Sequence, residues 1–152
     1  IRFAMKHPDR VTAAAAISPA IYATSPPKSS AARTQPAFRG LDGNFNQAVW
    51  AAENYPSLQD RYYASRLRVP FYLVSGDGDQ LGIAYETALL FKTLFEHQPD
   101  ITELRIVDGG HNWDMWRKAL QDSMTYLFQY ASWPQESNPR LMLAAPTVST
   151  KN

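Results

Sequence analysis

Cysteine is absent from the 152 residues. That removes a disulfide framework, a thiolate nucleophile and a cysteine-built metal site. It assigns no compartment, because exported and cytosolic chains can both lack cysteine. An excess of charge of one sign is missing as well. Fifteen Lys and Arg stand against 14 Asp and Glu, for a formal net charge of +1, and the basic residues are scattered without forming a stripe. No nucleic-acid partner and no anionic surface is therefore expected. No apolar run approaches the roughly 18 residues of a membrane span, so no membrane partner is expected either. The remaining composition, 45% hydrophobic and 19% charged, is that of a globular chain long enough for one domain with a sizeable core.

Punctuation by proline and glycine divides the chain. It opens "IRFAMKHPDRV", already inside an amphipathic helix, and an upstream part is expected to precede it. Residues 1–6 read as the last turns of that helix, stopped at His7 because the residue before a proline is pushed out of the α region. Residues 11–18, "VTAAAAIS", read as a buried parallel strand, with a short helix as the competing assignment. Residues 19–44, rich in Pro, Ser, Gly and Ala, form a lid-like excursion without a period. Short helices are predicted over 45–53 and 56–65. A strand over 70–74 ("PFYLV") is closed by the turn "SGDGD". A helix over 84–95 places Ala84, Ala88, Phe91 and Phe95 on one face. A further strand spans 101–107. The longest helix covers 113–131, with Trp113, Trp116, Leu120, Met124, Leu127 and Ala131 as its core stripe. The domain is expected to end near residue 133, with 134–152 a frayed tail. This order predicts an α/β fold, a parallel sheet of about three strands flanked by helices.

In open parallel sheets the functional groups gather at the carboxyl ends of strands. Two such ends carry chemistry here. "VSGDGDQ" offers Asp77 and Asp79, and "VDGGHNW" offers His111 behind two glycines, with Asp108 a step earlier. A loop carboxylate and a loop histidine at neighbouring strand ends suit an acid–base relay, in which the carboxylate orients the imidazole and the ring takes a proton from a nucleophile. Plainer readings stand beside this one. Asp is common in Gly-rich turns because it makes Asx-turns, and a loop histidine is more often a surface residue. Asp-Gly-Asp is also similar to the opening of a calcium loop, but Leu81, Ile83 and Ala88 stand where that loop needs ligands. No metal or cofactor is expected. Trp113 and Trp116 read as core packing, and His7 and His97 as solvated residues near helix ends.

The strings "AMKHPDRVTAAAAISPAIY", "LVSGDGDQL" and "GGHNWDMWRKAL" together resemble the esterase branch of the α/β-hydrolases, which includes enterochelin-esterase-like and S-formylglutathione-hydrolase-like enzymes. The resemblance runs over most of residues 1–131. It implies carboxylic-ester hydrolysis by a Ser-His-Asp mechanism, with His111 the general base and Asp79 the triad carboxylate, Asp77 being the less favoured register. Acid then histidine is the chain order of that superfamily. The nucleophile elbow G-x-S-x-G is absent from these 152 residues. By resemblance it falls just before Ile1, along with the donors of the oxyanion hole. Ser18 and Ser75 end predicted strands, but neither has the glycine flanks of an elbow.

Three readings follow. The first is an esterase whose acid and base lie here and whose nucleophile lies elsewhere. The second is a truncated, non-catalytic remnant that works as a binding or assembly module. The third is a short serine hydrolase using Ser18, Ser75 or a serine of a neighbouring subunit. Only a small-molecule ester is expected as substrate. The strand at 11–18 would have an unpaired edge, so a partner is expected, either the N-terminal portion or a second copy in a homo-oligomer.

Overall fold

The structure is a computed structural model that describes residues 1–131; the tail expected over residues 134–152 lies outside the described residues. Three parallel strands, β1 (Ala14–Ile17), β2 (Phe71–Gly76) and β3 (Thr102–Val107), form one sheet in the order β1-β2-β3. Ala14 pairs with Phe71 and Ile17 with Val74 on one side of β2, while Phe71 to Gly76 pair with Thr102 to Val107 on the other. Every residue of β2 is buried. A central strand covered on both faces has no solvent side, which is why "FYLVSG" lacks polar alternation. The expected α/β class is therefore present.

Helical connections make the crossovers. α1 (Arg2–Lys6) precedes the sheet, α2 (Gln47–Glu53) and α3 (Tyr55–Ala64) join β1 to β2, α4 (Ile83–Phe95) joins β2 to β3, and α5 (Trp113–Ala131) closes the described chain. Asparagines start three of these helices. Asn46 Oδ1 accepts from Val49 N at 3.0 Å, Asn54 Oδ1 from Tyr55 N at 2.9 Å and Asn112 Oδ1 from Met115 N at 3.1 Å. Such bonds satisfy amides that have no partner inside the helix.

On one face of the sheet α1, α3 and α4 bury Met5, Tyr62, Phe71, Leu73, Leu90 and Leu94. The buried Tyr62 hydroxyl in this layer is fully used: its Oη donates to Gln98 Oε1 at 2.8 Å and accepts from Val69 N at 2.7 Å. On the other face α5 packs against β1 and β2, enclosing Tyr72, Val74, Met115, Ala119, Tyr126 and Tyr130.

Two helix faces differ from the sequence expectation. The buried side of α4 is Ile83, Thr87, Leu90 and Leu94, one position away from the predicted set. Thr87 explains the shift. Its Oγ1 donates to Ile83 O at 2.7 Å and pairs with Ser75 Oγ at 2.8 Å, so a polar residue is buried at no hydrogen-bonding loss. On α5 the buried side is Met115, Ala119, Ser123, Tyr126 and Tyr130; of the predicted stripe, Trp113, Leu120, Met124 and Ala131 are exposed while Trp116 and Leu127 are half-buried. Small Ala119 and Ser123 let the helix approach the alanine-rich β1, while Tyr126 Oη finds Ile101 O at 2.6 Å.

The excursion over residues 19–44 is tied down. Two 3₁₀ turns, Ala31–Thr34 and Pro36–Phe38, run through it. Arg33 lies 4.4 Å over the Phe45 ring and donates to Pro26 O. Asn54 Nδ2 donates to Tyr22 O at 2.6 Å, and Ala23 N donates to Glu86 Oε2 at 2.7 Å. Tyr22 and Ala32 thereby pack with Trp50 and Ile83 in a third cluster, beside the turn that carries Asp79.

Candidate active site

The two chemistry-bearing turns meet at the carboxyl end of β2 and β3. Asp77 N donates to Val107 O and Gly78 N donates to Gly109 O, each at 2.9 Å, so the sheet ladder runs on into the loops. The glycines here have separate reasons. A Cβ at Gly76 would lie 2.2 Å from Gly109 O, which no side chain tolerates. Gly109 has φ of +142°, and a Cβ there would also press on Met115. Main chain against main chain thus fixes how far the acid turn stands from the histidine loop.

Within that frame Asp79 and His111 pair. His111 Nδ1 lies 2.7 Å from Asp79 Oδ2. The Asp79 side chain is 0% exposed and that of His111 is 34% exposed. The other carboxylate oxygen, Oδ1, accepts from Leu81 N at 2.9 Å. The Asx-turn and the imidazole partner are therefore both present, one oxygen each. With the carboxylate accepting, Nδ1 carries the proton and Nε2 is left as the unprotonated nitrogen of a half-exposed ring. Trp116 meets the imidazole edge to face at 4.9 Å, and Trp113 meets Trp116 in the same manner at 5.2 Å. Burial pushes the neighbouring Tyr22 phenol above its ordinary value, and the Asp79 and Glu86 carboxylates add to the effect.

The other candidates fall elsewhere. Asp77 Oδ1 accepts from Gly109 N at 3.2 Å and so ties the two loops together without touching the imidazole. Ser75 is fully buried. Because the Thr87 hydroxyl proton goes to Ile83 O, Ser75 is the donor of the pair with Thr87, and its proton is committed on the α4 side of the sheet. Ser18 is buried at the end of β1 with φ of +44°, and its Oγ makes no hydrogen bond among the described residues. The hydrogen bond to Asp79 is the one that His111 makes among those residues. His97 stacks on Tyr63 at 3.6 Å and His7 packs on Phe3. Among the described residues no cluster of His, Asp and Glu could hold a metal ion, and no helix is long and apolar enough to cross a membrane. No sequence signal marks the Ser75–Thr87 pair, since a hydroxyl pair across two elements has no periodicity to follow. The steric reason for Gly76 was equally hidden.

No curated protein and no solved structure matches the chain. The sequence model of the Esterase family, described as "Putative esterase", matches residues 1–127. Since that match takes in all three strands and both loops of the Asp79–His111 pair, the chain belongs to this family of esterases, the esterase-like branch of the α/β-hydrolases.

Proposed function

We propose that the chain supplies the acid and base of a serine-type carboxylic-ester hydrolase, His111 being the general base and Asp79 the carboxylate that orients it. The 2.7 Å bond between Asp79 Oδ2 and His111 Nδ1 carries this reading, because it fixes the tautomer that leaves Nε2 free to accept a proton. A serine hydroxyl facing Nε2 would attack the ester carbonyl as its proton passes to the imidazole. The imidazolium, held by Asp79, would return that proton to the departing alkoxide. Water would then cleave the acyl-enzyme through the same nitrogen.

Absence of G-x-S-x-G from the 152 residues favours a second reading, a binding or assembly module without turnover. Fluorophosphonate labelling, with peptide mapping and turnover of a p-nitrophenyl ester, separates the two. The hydrolase reading expects one labelled serine, and His111→Ala losing activity by about 10³-fold with circular dichroism unchanged. A label on Ser18 would make the chain a self-contained esterase. No label and no turnover from a folded sample would leave the binding module standing.

A further inference from the structure

His111 ends the loop that leads into α5, and the start of that helix follows a known packing pattern. Asn112 caps it, its Oδ1 accepting from Asp114 N and Met115 N at 3.1 Å each. In such a start the residue before the cap packs on the fourth helical residue, ordinarily as two hydrophobic side chains that set the entry angle of the chain. Here the residue before the cap is His111, and the fourth residue of Trp113–Ala131 is Trp116. The two rings meet with centroids 4.9 Å apart and planes at 89°. Trp116 N donates to Asn112 O at 3.1 Å and closes the turn between them.

Two details separate this contact from ordinary core packing. Among the described residues His111 makes one hydrogen bond, from Nδ1 to Asp79 Oδ2, and one ring contact, to Trp116. A single bond at Nδ1 lets an imidazole swing about it, and the torsion that carries the ring is broad, with no sharp preference of its own. The second detail is on the tryptophan. Its indole packs on the cluster that contains Val74, Met115 and Ala119, yet its Nε1 is buried without a hydrogen-bond partner among the described residues. An orphaned N–H is a net loss to a fold. Leucine or phenylalanine would cover the same cluster without that loss, so packing alone does not select tryptophan. The wider indole touches the cluster and the imidazole at once.

We infer that Trp116 is a positioning residue for the relay: it turns the helix-start packing onto the imidazole, so that α5 fixes the ring plane and with it the direction of Nε2. The inference rests on the reading of His111 as the base, and adds that the base is held by two contacts with separate tasks. Asp79 sets which nitrogen carries the proton. Trp116 sets where the other nitrogen points. A catalytic group has to be held within about 10–20° of its productive geometry, which one hydrogen bond does not enforce on a half-exposed ring. α5 supplies the stiffness, because its buried side is locked to the sheet and Tyr126 Oη donates to Ile101 O at 2.6 Å. The imidazole thus takes its orientation from the packed layer beneath the helix and not from the glycine-rich loop that carries it.

Nitrogen NMR of isotope-labelled histidine rings in the full chain tests this without requiring turnover. In the unsubstituted protein His111 should show a single tautomer, Nδ1–H, and a nuclear Overhauser contact between its ring protons and those of Trp116. Trp116→Leu, with circular dichroism unchanged, should speed exchange of the Nδ1 proton with water by about tenfold or more. Trp116→Phe, a smaller ring that keeps the core filled, should give an intermediate rate and carries the test if the leucine variant does not fold. In p-nitrophenyl ester turnover Trp116→Leu should lose about 10–100-fold in kcat with KM within about twofold. A missing Overhauser contact, an unchanged exchange rate in the folded variants, or a loss confined to KM would each overturn the positioning role and leave the pairing with Asp79 standing. Asp79→Ala tells the two readings apart: a single Nδ1–H tautomer that survives it would remove the relay itself, and the role of Trp116 with it.

Discussion

Phe71 and Leu73 point from β2 into a layer closed by three helices, whereas Tyr72 and Val74, their neighbours on the same strand, point into a layer closed by α5 alone. In the first layer Leu90 and Leu94 are entirely buried. In the second, the helix that does the covering has an apolar flank left over. Alternation along one strand thus feeds two layers of unequal completeness. Burial in the first is complete, while the second leaves part of its covering helix's apolar surface outside the fold.

The largest expected effect removes the contrast altogether. Burial pushes the phenols of Tyr62 and Tyr63 on one face and of Tyr126 on the other above their ordinary value, Tyr63 to about 12. A raised folded-state pKa stabilises fully below the unfolded value near 10, and that contribution is lost as pH rises from about 10 toward 12. Both layers should therefore fail together in that window, seen as loss of circular dichroism coincident with tyrosinate absorbance. At neutral pH the contrast returns. Leu94→Ala should cost about 2–5 kcal/mol in denaturant unfolding, as a cavity in a closed layer. The smallest effect belongs to Met124→Ala on the open flank, within about 0.5 kcal/mol for the dilute chain. A loss at Met124 comparable to that at Leu94 would mean that the flank is already part of the fold.

Legibility in the sequence followed the kind of signal each feature leaves. Prolines and glycines mark element boundaries, and the long helix starts at Trp113, where the sequence places it. Asp79 and His111 were visible because strand ends are where loops present side chains, and the fold brings that pair together. Asp77, the alternative acid, instead ties down a backbone amide. Helix faces were read less well, since counting large apolar residues cannot rank two flanks of α5, nor admit Thr87 to a core. Those choices depend on what packs opposite: an alanine-rich strand asks for Ala119 and Ser123, and Ser75 asks for Thr87.

The contact between Gly76 and Gly109 bears on how such a site should be read in any sequence. Space forbids a methyl group at the first position and backbone twist disfavours one at the second, so both glycines are demanded by folding before any chemistry begins. A library randomised at these positions and selected only for foldedness would return glycine at both. Gly109, the first of the two glycines ahead of His111, is thus testimony about architecture. The imidazole itself, half-exposed and unnecessary to the seam, is the letter whose retention would speak of turnover.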